Sequence, residues 1–240
     1  MSRSRLCTIA TLLFQAAFAS SSIGRADFVY SGLATGAVPT VEITFLIGST
    51  GPLPSNGGVR EVTLPSSNFG TILSTGLISG VALGSTGIAT ADITVQNLLL
   101  VFGGITISAQ TIGGHAVADG HTGGRPEVGG FSDFVGLSVN GQAVAVSGAP
   151  NQRIDLPNEE RLVLNEQFVV GDDNSGIVTV NALHLYVNPV VDFRIATAEA
   201  GMLVDPSTTP TPEPGTLALV AVGLIGLVGF RLGRGIRTAG

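Results

Sequence analysis

Cysteine, tryptophan and lysine are nearly or wholly missing from this chain of 240 residues. Cys7 is the only cysteine, no tryptophan occurs, and all 11 basic residues are arginines. One cysteine near the amino terminus excludes a disulfide framework and a cysteine-based zinc site from the rest of the chain. Charged residues make up only 12% of the composition, fewer than a disordered chain usually contains. The composition therefore predicts a folded domain whose core has few large rings.

Acidic residues dominate the chain between its two ends. Arginines stand near both termini, and the last three form an arginine cluster at Arg231, Arg234 and Arg237. Between the terminal arginines, 17 acidic residues stand against only six arginines, a net charge of about −11. Such a charge repels a phosphate backbone. We therefore expect no nucleic-acid partner.

Residues 1–26 have the layout of a secretory signal peptide. The segment MSRSRLCTIATLLFQAAFASSSIGRA has arginines near its start, then about 14 mostly apolar residues, then small residues. Cleavage after Ala19 follows the small-x-small rule, and cleavage after Ala26 fits nearly as well. The alternative, an amphipathic first helix, is disfavoured because the apolar residues occupy no single helical face. The segment predicts export of the residues that follow.

Residues 215–232 form an apolar run that predicts a transmembrane helix. No charged side chain occurs between Leu217 and Phe230, whereas a helix packed on a soluble core has a polar face. As a helix, the run extends about 27 Å, close to the roughly 30 Å of a bilayer's hydrocarbon core. The arginines at its end predict a cytoplasmic tail at 233–240 by the positive-inside rule.

The linker at 206–214 ends in a glutamate between two prolines. Pro212, Glu213 and Pro214, then the apolar run, then the arginine cluster follow one another in an order that resembles the PEP-CTERM sorting signal. The resemblance implies an exported protein of bacteria that make extracellular polysaccharide. It also implies that exosortase, a membrane-embedded transpeptidase-like enzyme, recognises and processes the tail. In that role the three linker residues are substrate residues.

Residues 27–205 show the pattern of an all-β domain. Apolar runs rich in valine, isoleucine and threonine alternate with turn-forming residues, and no segment has a helical period. The turn spacing favours a β-sandwich, and a β-helix is the alternative although no fixed-period repeat occurs. Strands are expected at residues 41–47, 88–95, 104–112 and 161–170.

Two segments of this domain lead to predictions that a structure can test. Asn140-Gly141 suits a type I′ hairpin turn, and the predicted facing pairs are Val139 with Gln142, Leu137 with Val144, and Val135 with Val146. In GIVTVNALHLYV (176–187) the apolar residues change from even to odd positions. This segment is therefore either a central strand buried on both sides or a strand with a bulge near Asn181.

Residues 130–201 resemble a group of exported bacterial proteins. The similarity rests on the segments VNG, GAPNQ, LVLNEQ and VNALHL, and it points to the choice-of-anchor P proteins. Their shared domain occurs with different surface anchors. The group has no established biochemical activity, so the resemblance implies class and location without a catalytic residue.

His115, Asp119 and His121 are the most suggestive group of metal-binding residue types. On an extended strand the three side chains share one face, and two imidazoles with a carboxylate suit zinc. Glycines surround the group and no fourth ligand is evident. A solvated loop is therefore the preferred interpretation.

Asp172, Asp173 and Asn174 form an oxygen-rich segment that suits calcium. The segment lacks the spacing and the closing glutamate of an EF-hand loop. We expect instead a hairpin turn whose side chains hydrogen-bond their own backbone. No metal and no other cofactor is predicted for the chain.

The remaining polar residues contain no motif of an enzyme. His184 alternates with Tyr186, so a packed and satisfied histidine is expected. Glu166 lies on the apolar face of its strand and is expected to reach a loop backbone or Arg161, whereas Glu159-Glu160 is expected to be solvated. No nucleophile elbow, zinc-protease helix or phosphate loop occurs.

We therefore expect an exported, membrane-anchored bacterial surface protein with a non-enzymatic structural role. Its domain is expected outside the cytoplasm and, after exosortase processing, at the cell surface or in the extracellular matrix, with exopolysaccharide as a candidate partner. An extracellular binding module for glycan or calcium is the alternative, although side chains that stack on sugars are scarce. A secreted hydrolase has no supporting motif.

Overall fold

The computed structural model describes residues 28–41, 43–44, 46–120, 125–157, 160–187 and 191–204. The strands in these ranges are β1 (Phe28–Val41), β2 (Ile43–Thr44), β3 (Ile47–Ser49), β4 (Gly58–Leu64), β5 (Ser67–Phe69), β6 (Leu73–Thr75), β7 (Ile78–Ser85), β8 (Ile88–Phe102), β9 (Ile105–Asp119), β10 (Glu127–Val135), β11 (Ser138–Val139), β12 (Gln142–Ala143), β13 (Gln152–Asp155), β14 (Arg161–Gly171), β15 (Ser175–Val187) and β16 (Val191–Val204). The predicted signal peptide, linker, apolar run and basic tail lie outside the described residues. Within the described ranges, no helix has the length and apolarity that crossing a membrane requires.

The strands form two antiparallel sheets, which confirms the all-β sandwich. Sheet A has seven strands in the order β13-β14-β15-β16-β1-β2, with β3 also paired to β1. Sheet B has nine strands in the order β12-β11-β9-β8-β6-β5, with β10 beside β9 and with β7 between β4 and β8. β16 packs on β8 and β9, and β15 packs on β9 and β10. A β-helix would need parallel pairing, so that alternative is wrong.

Alternating apolar side chains fill the space between the sheets. In β8, Ala91, Ile93 and Val95 are fully buried or nearly so, and the residues between them are half-buried. Phe193 is the largest fully buried side chain, and its ring packs on Phe102 with the centroids 5.4 Å apart. The core therefore consists mostly of alanine and branched aliphatic residues, as the composition predicts.

Three of the four predicted strands are confirmed, as parts of β8, β9 and β14. The prediction of a single strand at 41–47 is wrong, because the chain reverses there and Thr40 pairs with Thr44. The reversal brings β3 back along β1, where Ala37 pairs with Ile47. The sequence hides this turn because it lacks the glycine, asparagine or proline that usually marks a reversal.

Two left-handed residues interrupt the pairing ladder of sheet A in one row that crosses three neighbouring strands. Asn165 in β14 and Ala196 in β16 have φ of 50° and 52°, and the register on either side aligns both with Ala182 of β15. We call these three residues the kink row. In β15 the side chains that point into the core change from even-numbered to odd-numbered positions between Ala182 and Leu183. Residues 180–185 are all buried. The central strand buried on both sides, one of the two alternatives for this segment, is thereby confirmed.

The hairpin predicted at Asn140-Gly141 joins β11 to β12. The two residues have φ of 50° and 77°, as a type I′ turn requires. The first two predicted pairs are confirmed, beginning with Val139 opposite Gln142. The third is wrong, because Val135 belongs to β10 and pairs with Thr111 of β9.

Candidate functional site

A buried polar cluster joins β14, β15 and β16 beside the kink row. His184 is only 2% exposed and lies between two carboxylates. Its Nδ1 is 2.5 Å from Oε2 of Glu166, and its Nε2 contacts Oδ1 of Asp192. Glu166 also accepts a hydrogen bond from Nδ2 of Asn181 at 2.8 Å and one from the hydroxyl of Tyr186 at 2.5 Å. We call these five residues the buried cluster.

Strand register brings the buried cluster together. Glu166 of β14 lies opposite Asn181 of β15, and Tyr186 lies opposite Asp192 of β16. His184 stands between these two pairs and stacks on Tyr186, with the ring centroids 3.7 Å apart. Its neighbours on β15 point into the core, so His184 points to the opposite face of sheet A.

Two arginines contact one side of the buried cluster. One contacts the carboxylate of Asp192, and the other contacts the ring of Tyr186. Nη2 of Arg194 donates to Oδ2 of Asp192 at 2.8 Å. The guanidinium of Arg161 lies 4.0 Å from the centroid of the Tyr186 ring, a cation–π contact. A buried charge is tolerated only when it is paired and hydrogen-bonded. The buried ring of His184 meets that requirement, because each of its nitrogens contacts a carboxylate.

Hydrogen bonding decides the charge state of the buried cluster. Burial lowers the pKa of His184, but its hydrogen bonds with Asp192 and Glu166 outweigh burial and raise that pKa above 6.5. Burial raises the pKa of Glu166 and of Asp192. Hydrogen bonds from His184 and other donors outweigh burial and bring both pKa values below their ordinary values. Burial raises the pKa of Tyr186 to about 12. Both ring nitrogens of His184 are engaged by carboxylates, so neither is free to bind a metal or to take a proton from a substrate.

These pKa directions predict a stability maximum at mildly acidic pH. The stability contributed by His184 is complete below pH 6.5 and is lost as the pH rises through its raised folded pKa. The contribution of Glu166 is present above its ordinary pKa of 4.5 and is lost as the pH falls through its lowered folded pKa. Urea unfolding midpoints measured from about pH 3 to about pH 9 test both slopes. In His184→Gln the decline at high pH should shrink; an unchanged decline would contradict the prediction.

A second histidine is held between two carboxylates on the outer face of sheet B. Nδ1 of His115 in β9 is 2.6 Å from Oδ1 of Asp92, and its Nε2 is 2.9 Å from Oδ2 of Asp133. The ring of Phe131 stacks on the imidazole, with the centroids 4.4 Å apart. Burial lowers the pKa of His115, but the two carboxylates raise it above 6.5. Both of its ring nitrogens are thus engaged, as they are in His184.

The preferred interpretation of His115 and Asp119 as residues of a solvated loop is wrong, because both lie in strand β9. Their grouping with His121 as metal ligands stays a prediction. Asp119 ends β9 on the same side of the strand as His115, about 13 Å further along. His121 lies outside the described residues. In the part of the chain that the structure describes, no three His, Cys, Asp or Glu side chains are arranged to hold a metal ion.

The turn predicted at Asp172 is confirmed between β14 and β15. Its Oδ1 accepts hydrogen bonds from the backbone N–H groups of Asn174 and Ser175 at 2.9 and 2.8 Å, and from the Ser175 hydroxyl at 3.0 Å. The bond from Asn174, followed by those from Ser175, lowers the pKa of Asp172. Asp172 therefore organises its own hairpin, as its sequence indicated.

A shallow groove of about 300 Å³ lies beside Asp92 on sheet B. Its lining includes Glu61, Thr63, Ser79 and Thr94. Register places Glu61, Val81, Asp92, His115 and Phe131 in one row across five strands. The row and the groove beside it together contain carboxylates, hydroxyls and an aromatic ring, as the binding-module alternative would require.

Two glutamates differ from their predictions. Glu166 reaches His184, Tyr186 and Asn181 in place of a loop backbone or Arg161. Glu160 is 8% exposed and not solvated, because its carboxylate lies against Gly103 in the turn between β8 and β9. Glu159, for which the same prediction was made, lies outside the described residues. The packed and satisfied state predicted for His184 is confirmed.

A known sorting motif matches the carboxy-terminal segment. Residues 210–234 match the PEP-CTERM protein-sorting motif. The matched range contains Pro212, Glu213 and Pro214 together with most of the apolar run, and it lies outside the described residues. No curated protein and no solved structure matches the chain.

Proposed function

We propose, from the premise that this chain is a PEP-CTERM protein, that its β-sandwich has a non-enzymatic structural role in the cell envelope or the exopolysaccharide matrix. The match at residues 210–234 carries this proposal. A PEP-CTERM motif makes the chain an exported substrate of exosortase that is targeted to the cell surface. The role of the domain after it arrives is the proposed part.

We also propose that residues 215–232 anchor the chain in the membrane until it is processed. The apolar run is long enough to cross the hydrocarbon core as a helix, and the arginine cluster behind it favours retention on the cytoplasmic side. The anchor keeps Pro212, Glu213 and Pro214 near the membrane surface. There a membrane-embedded enzyme can reach them.

The chemistry of the described domain supports a structural role. Each of its described histidines, His115 and His184, has both ring nitrogens against carboxylates, so neither has a free nitrogen to act as a general base. The hydrogen bonds of the buried cluster join three strands of sheet A. Its groups therefore hold strands together. The resemblance of residues 130–201 to the choice-of-anchor P proteins stays a prediction.

Changing the sorting motif tests the proposal directly. When Pro212, Glu213 and Pro214 are all replaced by alanine, we expect the tail to stay uncleaved and the full-length chain to remain with the membrane. The readout is cell fractionation with mass measurement of the chain in the membrane and matrix fractions. Pro206→Ala, a proline change in the same linker but outside the matched range, is the control and should be processed normally.

Two outcomes would contradict the proposal. Unchanged processing of the triple variant would show that these residues are not the recognised element. If the processed native chain is found free in the medium, with none in the envelope or polysaccharide fraction, the structural role is wrong.

A further inference from the structure

The outer face of sheet A has an exposed apolar patch where the sheet meets the linker. The outer patch consists of Val29, Phe168, Val170, Ile177 and Leu203, which are 39%, 50%, 69%, 38% and 42% exposed. All five point away from the core. A contiguous exposed apolar patch on a monomeric protein often marks an interaction site.

Register shows that the outer patch is continuous across four strands. Val29 of β1 lies opposite Leu203 of β16, and Val170 of β14 lies opposite Ile177 of β15. Gly201 links the two pairs, because it lies opposite Ile177 and two residues before Leu203. A Cβ at Gly201 would approach the Ile177 side chain to 2.7 Å, so that side chain already covers the glycine.

The sequence places the outer patch close to the apolar run. Leu203 is followed by Val204, the last residue of β16, and ten residues at 205–214 separate Val204 from Gly215. A chain spans at most about 3.3–3.6 Å per residue. Whatever its conformation, this linker therefore reaches no further than about 35 Å. Once the apolar run is in a bilayer, the end of β16 therefore stays within about 35 Å of the point where the chain enters the membrane.

We infer that the outer patch rests on the lipid surface while the tail holds the chain in the membrane. This inference rests on the proposed function, since it requires the membrane anchor at 215–232. The occupant is the interfacial region of a bilayer. Val170 and Phe168, which are the most exposed of the five, make the deepest contact.

The size of the outer patch argues for lipid over a second copy of the chain. A stable protein interface uses roughly 20–30 residues on each side, many more than the patch provides. A lipid contact made by a tethered domain needs little affinity of its own, because a short linker gives an effective concentration of about millimolar. A small patch therefore suffices for an anchored chain.

Charge near the outer patch selects the kind of lipid. Asp172 and Asp173 follow Gly171, the last residue of β14, and Glu199 of β16 lies on the same face. These carboxylates repel an anionic bilayer. The contact should therefore be closer on zwitterionic phosphatidylcholine than on a bilayer that contains phosphatidylglycerol.

Tryptophan fluorescence can locate the outer patch, because the chain contains no tryptophan of its own. The full-length chain with Phe168→Trp, or with Leu203→Trp, is reconstituted into phosphatidylcholine vesicles with or without brominated acyl chains. Phe131→Trp is the matched control, since Phe131 is 55% exposed on the outer face of sheet B. We expect blue-shifted, bromine-quenched emission from both patch variants and neither effect from the control.

The outcomes separate this inference from the proposed function. Vesicle flotation without bromine quenching at positions 168 and 203 overturns the lipid contact and leaves the membrane anchor standing. Blue-shifted emission that bromine does not quench means that protein covers the patch, a second copy or the tail, and also overturns it. Equal quenching in the Phe131→Trp control would show that the outer face of sheet A does not face the bilayer in preference to sheet B, and would overturn the inference. A chain that fails to float overturns both the anchor and the contact.

Discussion

Replacing Glu166 by alanine is expected to lower the free energy of unfolding by about 3–5 kcal/mol. Glu166 accepts hydrogen bonds from His184, Tyr186 and Asn181 inside sheet A. Without it, one ring nitrogen of His184 and two other buried donors lose their partner. Removing the shared acceptor of a buried hydrogen-bonded network costs more than its hydrogen bonds contributed, because the donors left behind stay buried without a partner.

Urea unfolding followed by circular dichroism measures this loss. The control is Asp155→Ala, which breaks the exposed pair that Asp155 makes with Arg153 at 2.6 Å. Exposed pairs contribute less than about 1 kcal/mol. Glu166→Gln keeps the shape and an acceptor, so its loss should fall between the two. Equal stability of Glu166→Ala and Asp155→Ala would refute the assigned importance of the buried cluster.

Replacing Gly114 by valine is expected to lower the free energy of unfolding by about 3 kcal/mol. Gly114 lies in β9, and a Cβ built there would be 2.3 Å from the carbonyl oxygen of Ala196 in β16. That oxygen belongs to the backbone of the kink row in the other sheet. The two sheets must therefore move apart to admit the side chain, which overpacks the core.

Gly129→Val in β10 is the matched control for this prediction. A Cβ at Gly129 meets no atom within 4 Å, and valine suits a strand. At roughly 2–4 °C per kcal/mol for a chain of this size, Gly114→Val should melt about 6–12 °C lower than the native protein. The control should melt within about 2 °C of it. Similar melting of the two variants would mean that the sheets tolerate a side chain at Gly114.

Local pattern predicted most of the fold. Alternating valine and isoleucine marked β8, β9 and β14, because a half-buried strand needs that period. Asn140-Gly141 marked its hairpin, because both residues adopt positive φ with little strain. The reversal after β1 was missed, since residues 41–47 carry only the strand signal and no turn signal.

The buried cluster could not be predicted from the sequence, for a different reason. Asp192 is the second residue of β16, and nothing in its neighbouring sequence indicates that it pairs with His184. Only the register of three strands brings Glu166, His184 and Asp192 together. Ala196 is a further case, because alanine rarely adopts the left-handed conformation and its sequence carries no sign of it.

The kink row also protects the alignment of the strands during folding. In a straight strand, a slip of two residues restores the same inside–outside pattern and is therefore hard to reject. In β15 the pattern reverses at Ala182, so a slipped strand would turn Asn181 or His184 towards the apolar core. A domain without cysteine has no disulfide to correct such a mistake after export. The kink row makes the misaligned pairing unfavourable from the start.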